Sequence, residues 1–163
     1  MKKGTTVLLK LALVVIALPV AGLCLYALPL LAMEAFTHMN GENILPFILL
    51  GLVTAALLSA IPYYIALFQA YKLLRLIETN GAFSAASVGA LKKIKRSGLW
   101  ISFLYTLALP LIFVVAQWDD APGLVLIGMV IVGASLVVSV FAAVLEALLQ
   151  EAITYKTENE LTI

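Results

Sequence analysis

The chain has 163 residues, of which 64% are hydrophobic and 12% charged, and ten Lys and Arg against nine Asp and Glu leave a formal charge of +1. Charge this sparse excludes a soluble globule, and a net charge this small gives no global attraction to nucleic acid. One cysteine, Cys24, excludes an internal disulfide framework.

The first apolar run covers about residues 7–33, behind Lys2 and Lys3. It is far longer than the h-region of about 7–15 residues in a secretory signal. No small-x-small site closes it, and Leu23 rather than a small residue precedes Cys24, so the run is expected to stay in the chain uncleaved. Further runs follow at about 44–71, 98–117 and 122–145. Each reaches the roughly 20 residues that a helix needs to cross a bilayer. The runs are continuously apolar without period-2 alternation, which points to helices, since a helix satisfies its own backbone in lipid, and away from a barrel. The expected fold is all-α: one domain over 1–163, an integral membrane bundle of four transmembrane helices.

Prolines recur along the runs, as ALPV at 17–20, ALPLL at 27–31, Pro62, and ALPLI at 108–112. Each removes a backbone hydrogen bond and kinks a helix at a cost that membrane helices tolerate. Small residues stand four apart as Gly51, Ala55 and Ser59 in the second run, and as Ser135, Ser139 and Ala143 in the fourth. Such stripes let helix backbones approach closely, so these six are expected at helix contacts.

The cations are Lys2, Lys3, Lys10, Lys72, Arg75, Lys92, Lys93, Lys95, Arg96 and Lys156, confined to the N-terminal end, the middle segment and the C-terminal tail. The other two connections carry Glu34, Glu42, Asp119 and Asp120, with His38 as the sole histidine. By the positive-inside rule, both termini and the Asn80 segment are cytoplasmic, in a bacterial inner membrane crossed N-in and C-in.

The middle segment reads as a short cytoplasmic helical hairpin over about 72–97. In YKLLRLIETNG, Lys72, Arg75 and Glu78 recur every third residue, and Leu73, Leu76 and Ile77 take another face, so the second helix continues past the membrane edge. Asn80 and Gly81 tolerate the left-handed conformation that ends helices. Ser84 is placed to cap the next helix, with Phe83 and Val88 at the spacing of a hydrophobic staple and Ser87 where Glu or Gln would complete a capping box. At 100° per residue, Ala86, Ala90, Leu91 and Ile94 share one side and Lys92, Lys93, Lys95 and Arg96 the other. The cations serve insertion and meet anionic headgroups, each worth roughly 1 kcal/mol near the surface. They lack the stacking aromatics or the motif of a nucleic-acid site.

Catalytic chemistry has little to stand on. His38 has no second histidine or cysteine beside it, Cys24 has no flanking cation or histidine, and Glu146 falls near the inner interface rather than deep in a span. No catalytic residue, metal ligand or cofactor is expected.

ALFQAYKLLRLIETNGAFSAASVGALKKIK, DDAPGLVLIG and VFAAVLEALLQEAITYKTENELTI together resemble the bacterial membrane protein family catalogued as domain of unknown function 2975. The most specific parts are Asn80, Phe83 and Ser84 with the basic cluster behind them, and Glu158, Asn159, Glu160, Leu161, Thr162 and Ile163 at the end. The resemblance implies a four-span protein often encoded beside a small Cro-like helix-turn-helix regulator, hence a non-enzymatic regulatory partner. The hairpin and the tail are then its interaction surface, with Leu161 and Ile163 alternating about Thr162 as an extended segment would. A small oligomeric exporter or channel, and a membrane-stress or immunity protein, are the rival readings.

Overall fold

The computed structural model describes residues 3–162. Four helical rods run up and down, each long and apolar enough to cross a membrane. The first is composite: α1 (Lys3–Gly22), a π-helical turn over Leu23–Ala27, and α2 (Leu28–Thr37). The π turn lies directly before Pro29, which offers no N–H and whose ring crowds the carbonyl four residues back, a disturbance that Pro19, Pro62 and Pro110 meet without a change of helix type. Widening the turn lets the Leu28 N–H reach the Leu23 carbonyl instead.

The other rods are α3 (Leu45–Glu78), α4 (Ala85–Trp118) and α5 (Gly123–Leu161), which keep Pro62 and Pro110 inside α3 and α4 without a break. At 34, 34 and 39 residues they measure about 51, 51 and 58 Å, well beyond a hydrocarbon core of about 30 Å. Asp120, at φ +50°, closes α4 in the left-handed conformation, and the Ala121 N–H bonds the Ala116 carbonyl at 2.9 Å. Asp is among the few residues that enter this region at small cost.

Among the described residues the rods pack in chain order, as an open row. α1 and α2 lie on α3, α3 on α4, and α4 on α5, while α3 and α5 do not meet. Two features clip the first rod to α3. Tyr63 and Tyr64 donate to the carbonyls of Ile16 and Ala17 at 2.9 and 3.2 Å, and Lys10 pairs with Glu78 at 2.6 Å while standing 5.6 Å above the Tyr71 ring. Lys10 therefore sits level with the C-terminal end of α3, at the basic end of the molecule.

α4 and α5 make the closest approach. Gly98 leaves no room for a Cβ, which would overlap Ser139 Oγ and stand 2.8 Å from the Ser135 carbonyl oxygen. That gap lets Ser139 Oγ reach the Lys95 carbonyl at 3.1 Å, across the helix pair. One turn nearer the basic end, Lys95 Nζ meets Glu146 Oε2 at 2.5 Å. At the other end Gly128 takes the side chains of Leu109 and Ile112. In lipid such packing replaces the hydrophobic effect as the force between helices.

Candidate functional site

The polar surface of the chain concentrates at the basic end, where α3 turns into α4 and α5 terminates. The turn is built by hydrogen bonds local in sequence. Asn80 takes φ +57°, and the N–H groups of Asn80 and Gly81 bond the carbonyls of Ile77 and Leu76 at 3.4 and 2.8 Å, the paired closure of a Schellman motif. Asn80, not Gly81, is the left-handed residue. Ser84, in extended conformation, then caps α4 by accepting the Ser87 N–H at 3.4 Å. The Gly81 carbonyl accepts from both hydroxyls, Ser84 Oγ at 2.7 Å and Ser87 Oγ at 3.2 Å. Ser87 is fully buried, so the position without a capping-box glutamate instead carries a hydroxyl that ties the turn together. Phe83 is 58% exposed.

Along the first turns of α4, Leu91 and Ala90 are buried and Ile94 is half-buried, while Ala86 faces out. Lys92, Lys93 and Arg96 are exposed. Lys95 departs from the expected arc: it lies on the flank toward α5, half-buried against Glu146. Glu146 is thus a structural partner of the basic cluster.

The tail differs from the extended segment expected for it. α5 stays helical through Leu161, with Glu158, Asn159 and Glu160 in its last turn. The Thr162 N–H and Oγ1 both return to the Glu158 carbonyl, at 3.2 and 2.6 Å. Backbone groups used inside a helix are not free to join a sheet edge. Ile163 lies outside the described residues. Carrying the Gly98–Ser139 register along the pair sets Ala85 level with about Ala152, so the last turns of α5 project roughly 13 Å past the start of α4. From Thr154 onward every described residue is exposed, including Tyr155 at 67% and Leu161 at 82%.

Of the small residues named above, Ser59 and Ser139 are buried and Gly51, Ala55, Ser135 and Ala143 half-buried; in the last turn of that stripe Ala142 takes the buried place. Gly51 sits against a Leu111 methyl. The reading by four-residue spacing missed α4, which buries Ser87, Ala90, Ser97, Gly98, Ser102, Ala108 and Ala116. At 100° per residue these split into two stripes, Ala90, Ser97 and Ala108 on one and Ser87, Gly98, Ser102 and Ala116 on the other. A helix that packs against a neighbour on each side shows no single four-residue repeat.

Because α3 and α5 stay apart, a cleft of about 380 Å³ opens between α3, α4 and α5, lined by Tyr63, Ala70, Ile94, Ile101, Ser135 and Val138 among others. It continues toward Cys24 and Leu28 of the first rod. Its walls are aliphatic with one hydroxyl from each of Tyr63 and Ser135, and the Tyr63 hydroxyl is committed to Ile16. Such a lining accepts an apolar guest and offers no carboxylate or imidazole to a proton or an ion. His38, at the opposite end, uses Nδ1 on the Glu34 carbonyl at 2.9 Å and so closes its own helix.

Residues 7–163 match the family described as "Protein of unknown function (DUF2975)". The chain belongs to this family. It is 45% identical over 166 residues to a protein of Bacillus subtilis (strain 168) named "Uncharacterized membrane protein YoaS", and the match covers 100% of both chains. No solved structure matches. As a member of the family it is a multi-pass membrane protein, with four apolar helices that imply a lipid bilayer around it.

Proposed function

We propose that the chain is a non-enzymatic regulatory protein of the bacterial cytoplasmic membrane that holds a small Cro-like helix-turn-helix regulator at its basic end. The observation that carries this reading is the projecting end of α5. Eight described residues, Thr154–Leu161, continue α5 as helix past the start of α4, and every one of them is exposed. These last turns expose Tyr155 and Leu161, two apolar contacts on different sides of the helix, among Glu151, Glu158 and Glu160, whose charge suits a cationic partner. The family resemblance supplies the kind of partner. The charge partition favours the cytoplasmic side, because the cations among the described residues lie at the basic end.

Deletion of Glu158–Ile163 tests the reading in the native host. The truncated protein is expected to insert as before, to lose copurification of the regulator encoded beside it, and to change expression of that regulator's targets. Undiminished recovery of the regulator would overturn it.

A further inference from the structure

α4 turns one face toward the central cleft and the opposite face away from the row. Ile94, Gly98 and Ile101 line the central cleft. At 100° per residue, the stripe through Lys92, Arg96, Leu99, Phe103 and Leu107 lies about half a turn away, on the far side of the row. A shallow depression there is walled by Arg96, Leu99, Trp100 and Phe103, all from α4 itself. Trp100 and Phe103 meet edge to face at 6.1 Å, and the apolar members of the stripe are 49–60% exposed, so no other part of the described chain covers them.

We propose that this face binds one anionic phospholipid, its phosphate held by Lys92, Lys93 and Arg96 and an acyl chain laid along Leu99, Trp100, Phe103 and Leu107. Charge complementarity selects the headgroup. The three cations are exposed and, among the described residues, make no ion pair, whereas neighbouring Lys95 is spent on Glu146. The order along the helix selects a lipid rather than an acidic protein, because the cations give way within one turn to exposed aromatic and aliphatic side chains. From Arg96 to Leu107 is about 16 Å, close to half of a roughly 30 Å hydrocarbon core. Trp100 then lies one turn below the cations, at the depth where indoles settle in membranes. The proposal needs only that α4 crosses the bilayer and does not rest on the regulator described above.

The two tryptophans make the test internal, since Trp100 lies near the basic end of α4 and Trp118 closes the other. Trp118→Phe isolates the first fluorophore and Trp100→Phe the second. Each protein is placed in phosphatidylcholine vesicles containing a small fraction of phosphatidylglycerol, with acyl-chain bromines on one lipid or the other at equal mole fraction. Trp100 is expected to be quenched by brominated phosphatidylglycerol with an affinity at least about fivefold higher than by brominated phosphatidylcholine, the effect of a single cation at an anionic surface. Trp118 is expected to show no preference. Lys92→Gln, Lys93→Gln and Arg96→Gln together should abolish the preference at Trp100, and Arg96→Gln alone should reduce it. Quenching of Trp100 by brominated phosphatidylcholine verifies that each variant is inserted. Equal quenching of Trp100 by both lipids, the same preference at Trp118, or a preference that survives the triple substitution would each overturn the proposal.

Discussion

Gly98→Ala is the smallest change that probes how the row of helices is held together. The added Cβ would overlap Ser139 Oγ and come to 2.8 Å from the Ser135 carbonyl oxygen. The serine hydroxyl can rotate away, but a backbone carbonyl inside α5 cannot. Restoring an ordinary contact of about 3.5 Å therefore needs a local separation of α4 and α5 by about 0.7 Å. Overpacking of this kind costs about 1–3 kcal/mol. Separation also strips the bond from Ser139 to the Lys95 carbonyl, for which about 0.6 kcal/mol is typical between membrane helices. The helix-propensity gain of alanine over glycine, at most about 1 kcal/mol, opposes both. A net loss of about 1–3 kcal/mol is expected, read as unfolding of detergent-solubilised protein under increasing denaturant. Gly133→Ala on α5 is the control, because a Cβ there meets nothing within 4 Å. Ser139→Ala in the Gly98→Ala background should recover only part of the loss, since the Ser135 carbonyl remains. If Gly98→Ala proves as stable as Gly133→Ala, the close crossing of α4 and α5 is not where stability resides.

Glu146→Gln should cost about 1 kcal/mol in the same assay, a value kept small because Lys95 is about a third exposed, and Lys95→Met added to it should restore most of the loss. Asn80→Val should destabilise by about 1–3 kcal/mol because a β-branched residue resists φ +57°, whereas Asn80→Gly should leave unfolding unchanged. Topology reporters fused near Gly81 and after Ile163 should report cytoplasm, and those near Gly41 and Asp120 the outside; an external signal at Gly81 would reverse the orientation and remove the regulator from reach.

Much of this protein was legible in its sequence because a bilayer asks for little: about 20 apolar residues in a row, backbone satisfied within each segment, and charge kept to the ends. Four helices follow from those demands alone. Local chemistry was legible for the same reason, since the Ser84 cap and the left-handed Asn80 depend on a few adjacent residues. The tail differs at Leu161, expected in an extended segment and found in the last turn of α5. There the helical ladder that α5 brings from the membrane outweighs a short alternation of side chains, because each added residue extends an existing helix without nucleating one. Which helix meets which was decided only by the tertiary structure. In lipid every face of a span is apolar, so hydrophobic periodicity no longer marks the buried side. What chooses a partner is close approach between two particular backbones, as where Gly98 admits Ser139, and a relation between distant residues leaves no mark in either segment alone. The pairing of Lys95 with Glu146 has the same origin. So does the open cleft, which exists because α4 spends both flanks on neighbours and keeps α3 from α5.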